Sequence, residues 1–254
     1  MTPVCLVIGA GAGIGGTVAR RFAREGYHAV LCRRSNRAGL DALVDGIQRE
    51  GHAATGFLVN AVEPDSLETL VTTVEADIGP VEVAVYNLGA QIGDRALADT
   101  SLKAFETGWR IGTFGLFRLD SALFPRMQAR GKGTLLVTSS TAAMRGNAGQ
   151  HSHAAAMAGR RMLCQSLNAE FAAKGIHVAH IVIDGPVDAP DTLGKMLGAE
   201  AFQALREARG YEHDGLLLPE HVAETYLHLA RQHRSTWTFE LDLRAYSDRA
   251  WWNH

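Results

Sequence analysis

The chain has 254 residues, 46% of them hydrophobic and 20% charged, a balance that supports a sizeable core and excludes long disorder. Its formal net charge is −2 and its pI about 6.6, so no global positive field exists for nucleic acid or an anionic membrane. Three cysteines, Cys5, Cys32 and Cys164, without a CxxC pair argue against a disulfide framework or a zinc site, and no metal is expected.

The predicted elements alternate in type. "VCLVIG" (Val4–Gly9) is a short apolar run ending in glycine, as a buried parallel strand does. Ile14 to Gly26 reads as a helix, with Ile14, Val18, Phe22 and Ala23 on one face. His28–Cys32 is a second strand, Leu40–Glu50 a helix stopped by Gly51, and "HAATGFLVN" leads to a third strand. A helix opening at Pro64 ends near Gly79–Pro80, and Val81–Asn87 is the fourth strand. Phe105 to Arg130 is helical, Gly133–Ser140 is a fifth strand, and His151 to Lys174 a long helix ended by Gly175. Ile176–Asp184 is a sixth strand, residues 186–215 are irregular, Pro219–Gln232 is helical, and Thr236–Leu243 is a last strand. Such alternation predicts one α/β domain over 1–254, a doubly wound three-layer α/β/α sandwich on a mostly parallel sheet. No basic segment leads into an apolar signal stretch, and no apolar run approaches the roughly 18 residues of a membrane span, so a cytoplasmic protein is expected.

The first strand feeds "GAGAGIGG". Read as GxxxGxG it uses Gly9, Gly13 and Gly15; read as GxGxxG it uses Gly11, Gly13 and Gly16. The first reading starts at the strand end and is preferred. Glycines there allow a tight turn and let backbone N–H groups meet a phosphate at a helix N-terminus. At the end of the second strand, an acidic residue would bind the ribose 2′-hydroxyl of NAD. The sequence has Arg33 and Arg34 instead, whose forked charge suits a 2′-phosphate, so NADP(H) is favoured over NAD(H).

With these landmarks, "VYNLGA", "LLVTSS" and "DGPVD" in order, the chain resembles the short-chain dehydrogenase/reductase family over nearly its full length. The resemblance implies a Rossmann-like domain with seven parallel strands, a nicotinamide cofactor and a homodimer or homotetramer. It implies that Gly9, Gly13, Ile14 and Gly15 line the pyrophosphate and that Arg33 and Arg34 meet the adenosine ribose. It puts Asn60 and Ala61 near the adenine, and Asn87, Gly89, Met157, Gly185, Pro186 and Val187 on the cofactor's nicotinamide side. Tyr86, Asp184 and Ala189 depart from the family's usual Asn, Pro and Thr.

The family works with Asn, Ser, Tyr and Lys. By the resemblance Ser140 holds the serine position, while Gly112, His153 and Met157 stand where Asn, Tyr and Lys are usual. Three readings stay open. His153 replaces Tyr as the proton donor, which is coherent because imidazole titrates near 6.5 and needs no lysine to lower its pKa. Alternatively, Ser140 and His153 serve a non-redox lyase or isomerase. Third, the chain is an NADP(H) sensor or a silent subunit, since fold does not secure function.

By the same resemblance, residues 187–215 form a lid over the substrate, with an apolar face of Met196, Leu197, Phe202 and Leu205. That suggests a small to medium, partly apolar carbonyl or alcohol as the small-molecule partner. Gln91, Arg95 and Arg145 follow strands four and five, where a substrate is met, and Arg145 is a candidate to hold an anionic group. Trp251 and Trp252 are expected against the body or a partner subunit.

Overall fold

Strand β1 (Val4–Ile8) is buried along its whole length. Val4, Leu6 and Ile8 enter one apolar layer while Cys5 and Val7 enter the other, the period-two alternation of a strand covered on both faces. The computed structural model describes residues 2–89 and 95–253. Around β1 runs a seven-stranded sheet in the order β3-β2-β1-β4-β5-β6-β7, with every neighbouring pair parallel. The remaining strands are β2 (His28–Arg33), β3 (Ala54–Leu58), β4 (Val81–Tyr86), β5 (Gly133–Ser140), β6 (Ile176–Ile183) and β7 (Glu240–Leu243).

Helices α1 (Ile14–Ala23) and α2 (Arg37–Arg49) cover one face with α9 (Pro219–Arg231). On the other face lie α3 (Ser66–Asp77), α5 (Gly115–Arg130) and α6 (His151–Phe171). Each helix presents one apolar stripe. In α1, Val18, Ala19 and Phe22 are fully buried, and burying a side chain of Val or Phe size contributes about 1.5–3 kcal/mol. The outer ends are finished by α4 (Leu102–Trp109), the single turn α7 (Lys195–Leu197) and α8 (Ala199–Arg209).

The chain order reverses between β1 and β4, so the strand ends there splay into a crevice, the usual ligand position in such sheets. The run over Phe105–Arg130 is helical as predicted, and within it one π-helical segment, Arg110–Phe114, joins α4 to α5. The last strand is shorter than predicted, because Arg234–Thr236 forms a 3₁₀ turn before β7. Among the described residues no helix is long and apolar enough to cross a membrane, and no group of three or more His, Cys, Asp or Glu is placed to hold a metal ion. All three cysteines are buried free thiols, pushed up in pKa by burial.

Candidate active site

The crevice is built from the strand ends outward. Directly after β1, Gly9 turns the chain with φ of 97°, and Gly13 precedes α1 with φ of 150°. A Cβ on Gly9 would lie 2.8 Å from the Asn87 carbonyl oxygen, and one on Gly15 would lie 2.3 Å from that of Gly9. The Asn87 backbone N–H donates to the Ile8 carbonyl at 2.8 Å, and its Nδ2 donates to the Gly9 carbonyl at 2.9 Å. The loops after β1 and β4 are thereby locked together, and only glycine fits the approach. The helix that follows has no capping side chain at Gly13.

Opposite the loop, Ser140 ends β5 and His153 lies in the first turn of α6. Ser140 Oγ and His153 Nε2 are 3.0 Å apart and share a hydrogen bond. Met157, one turn further, is 2% exposed, with its sulfur 3.9 Å from the Ser139 hydroxyl that donates to it. These groups and the glycine loop line one cleft of about 600 Å³, a volume typical of small-molecule sites.

The same cleft is floored by Arg160, 1% exposed and one turn beyond Met157. Its Nε donates to the Gly112 carbonyl at 2.7 Å, Nη1 to that of Thr138 at 2.5 Å, and Nη2 to that of Leu88 at 2.7 Å. The guanidinium also lies over the Tyr86 ring, 5.1 Å from its centroid. Burial pulls the Arg160 pKa down, and Tyr86 is among the groups that oppose the shift. One cation therefore ties the end of β4, strand β5 and the π-helical segment to α6. The Tyr86 hydroxyl, raised in pKa by burial, donates to the Ile111 carbonyl at 2.5 Å in that same segment.

Of the residues singled out from the sequence, Gly9, Gly13, Ile14, Gly15, Asn87, Gly89, Ser140, His153, Met157, Gly185 and Val187 share the cleft lining. Arg33, Arg34, Asn60, Ala61 and Pro186 are not on it. Arg33 Nη2 instead donates to Asp191 Oδ2 at 2.8 Å, Arg34 is exposed, and Asn60 Nδ2 donates to Glu63 at 3.0 Å. Ala61 is buried, packed in the core beneath α5. Arg145, a candidate anion holder, spends its Nη1 on the Trp251 carbonyl at 2.8 Å. Trp251 is partly buried, and its indole N–H reaches Asp242 at 3.1 Å. Trp252 remains 57% exposed, under Arg244. Gln91 lies outside the described residues.

Two residues escaped the sequence reading. Arg160 sits in the pair Arg160–Arg161, which looks like a solvated helix face, yet it shares the inward face of α6 with Met157 at i+3 spacing. Asp191 reaches the glycine loop from 179 residues away and gives no local signal. Partial burial opposes its ionisation, but the Ala12 N–H, Lys195 and Arg33 outweigh it and hold the carboxyl below the usual range.

A parallel three-layer sandwich with a glycine turn at its switch point defines the dinucleotide-binding class of folds. A family model described as short chain dehydrogenase matches residues 3–194, and the chain belongs to that oxidoreductase family. It is 30% identical over 227 residues to a cis-4-hydroxycyclohexanecarboxylate dehydrogenase from Sinomonas cyclohexanicum, covering 89% of this chain and 88% of that one. A short-chain dehydrogenase structure from Rhodopseudomonas palustris superposes with a TM-score of 0.79 at 29% identity, over 96% of this chain and 99% of the other. An alcohol dehydrogenase from the archaeon Thermococcus sibiricus, complexed with 5-hydroxy-NADP, shares the fold with a TM-score of 0.81 at 23% identity, over 98% and 99%. The family binds nicotinamide cofactors and acts on small molecules.

Proposed function

We propose that this chain is an NADP(H)-dependent oxidoreductase of a small to medium carbonyl or alcohol, with His153 carrying the proton. The observation behind this reading is the 3.0 Å contact of Ser140 Oγ with His153 Nε2 on the wall of the cleft, facing the glycine loop. A bound nicotinamide supplies or accepts the hydride. The side chains manage the substrate oxygen and its proton. Ser140 and His153 are close enough to each other for one oxygen to meet both at hydrogen-bond distance. In reduction, protonated His153 gives its proton to that oxygen; in oxidation, neutral His153 takes it from the hydroxyl. An imidazole populates both forms near neutral pH. Met157 brings no charge to the cleft, and Arg160, on the same helix as His153, is a cation on its lining whose guanidinium fixes the three surrounding backbones.

The protein fits such a cofactor because its glycine loop and Arg33 already hold an anion, the Asp191 carboxylate, through the Ala12 N–H at 2.8 Å and Nη2 at 2.8 Å. On this reading Gly9, Gly13, Ile14 and Gly15 hold the pyrophosphate, and Arg33 and Arg34 the 2′-phosphate. Asn60 and Ala61 border the adenine, and Asn87, Gly89, Met157, Gly185, Pro186 and Val187 the nicotinamide half. Segment 187–215 is the substrate lid of a single domain, with Met196 and Thr192 on the cleft. The Sinomonas relative is named for a ring alcohol, and a substrate of that size suits the cleft volume. Exposed Leu102, Phe105, Trp109, Phe117 and Met162 on α4, α5 and α6 support a homo-oligomer. Buried reduced cysteines suit the cytoplasm.

A second reading, a nucleotide-binding protein without turnover, is favoured by Met157, whose thioether leaves no hydrogen-bond donor at that point of the cleft wall. Calorimetric titration with NADPH and NADH, followed by a carbonyl panel with cofactor absorbance as readout, separates the two. Absence of binding to both nucleotides refutes the proposal. Binding without turnover favours the sensor, and product without cofactor consumption favours a non-redox reaction.

A further inference from the structure

Arg33, which the NADP(H) reading assigns to the 2′-phosphate, is held by the chain itself, together with the Ala12 N–H of the glycine loop. Asp191 belongs to the π-helical segment Pro190–Gly194, which follows β6 across the mouth of the cleft. Its Oδ2 accepts from the Ala12 N–H and from Arg33 Nη2, both at 2.8 Å, and its Oδ1 lies 2.9 Å from Lys195 Nζ. The contact is built from both sides. A Cβ on Gly11 would lie 3.4 Å from Asp191 Oδ2, and one on Gly13 would lie 2.8 Å from the Ala189 Cβ. The glycine loop thus accommodates residues 189–191 in its own hollows, and the Arg33 side chain is only 11% exposed within the pair.

A backbone N–H beside a helix start and a guanidinium fork are the donor set that binds a phosphate oxygen. A carboxylate presents the same acceptor geometry with one negative charge, whereas a phosphate monoester brings nearly two and three acceptor oxygens. Both anions cannot use one donor pair without like-charge contact. We propose that Asp191 is an internal stand-in for the nucleotide 2′-phosphate, a specificity-determining residue that the 2′-phosphate must displace from Ala12 and Arg33. This rests on the NADP(H) reading and adds two consequences. Affinity for a 2′-phosphorylated nucleotide is reduced by the fraction of molecules in which Asp191 holds the seat. Displacement also unpins residues 189–197, so nucleotide choice and lid freedom are linked.

The test uses calorimetry with 2′,5′-ADP and 5′-AMP, probes that differ only by the 2′-phosphate, on the full chain and on Asp191→Asn and Asp191→Ala. The inference expects affinity for 2′,5′-ADP to rise about tenfold or more in both variants, with 5′-AMP changed by less than about twofold. Hydrogen exchange without ligand reads the latch separately: backbone amides of 189–197 exchange faster in both variants than in the parent. Equal or weaker 2′,5′-ADP binding by the variants, with NADPH bound by the parent, overturns the inference and leaves the nucleotide reading standing. Weakened 5′-AMP binding also overturns it, because Asp191 then serves as a ribose acceptor. Failure of parent and variants alike to bind NADPH overturns both readings.

Discussion

Replacing Arg160 with Met keeps the length and apolar stem of the side chain and removes its charge and donors. In the parent, three donors meet three carbonyls at 2.5–2.7 Å in a fully enclosed position. Hydrogen bonds from a charged donor contribute about 1.5–3 kcal/mol each, and a stranded buried carbonyl costs about 1–3 kcal/mol. Relief from burying a guanidinium offsets several kcal/mol of the loss. The net expectation is a destabilisation of about 3–5 kcal/mol, the range seen when one partner of a buried charged network is removed. For a chain of this length that lowers Tm by roughly 10 °C. Urea denaturation measures it: the midpoint falls while the slope stays constant. Arg160→Lys, which keeps one charge but not the fork, should recover only part of the loss. A change below about 1 kcal/mol for Arg160→Met would refute the claim that this cation holds the three segments together.

Gly15→Ala places a Cβ 2.3 Å from the Gly9 carbonyl oxygen and should cost about 1–3 kcal/mol with at least a tenfold loss of NADPH affinity; unchanged calorimetric affinity contradicts the loop assignment. His180 gives a pH prediction. Burial lowers its pKa from 6.5 to about 4, against the opposing pull of Glu240, whose Oε2 is 3.0 Å from its Nδ1. Between those values the unfolded chain holds a proton that the native chain does not, so stability is complete above pH 6.5 and falls as pH drops towards 4. The loss amounts to up to about 3 kcal/mol. Glu240, held below its ordinary value first by Arg161, loses its own contribution at still lower pH, so both act in one direction. Denaturation of His180→Gln between pH 7 and 4 should show a flatter slope than the parent; an identical slope would count against it.

The parallel sheet was legible because its strands are buried on both faces and end in turn signals, as "VCLVIG" does before Gly9. The Ser140–His153 contact was also within reach, since the family resemblance puts the two residues at the positions of its Ser and Tyr. The π-helical segment at Arg110–Phe114 was not, because inserting one residue into a helix changes hydrogen-bond pairing without a change in composition. Arg33 was read for its charge, but its partner Asp191 lies 158 residues away and is set by tertiary approach. Arg160 runs against the ordinary exposure of arginine, and only the three carbonyls around it explain its burial. For both arginines the missing information was long-range pairing of a charge, which local pattern does not encode.

Stopped-flow absorbance of NADPH, mixed with a panel of cyclic and linear carbonyls, compared for the parent chain and His153→Phe, reads whether His153 carries the proton. The parent should oxidise NADPH with at least one carbonyl. His153→Phe should bind NADPH with unchanged affinity and lose about 10²–10⁴-fold in turnover, the usual worth of a positioned proton donor. Equal turnover in the two proteins would contradict the role given to His153.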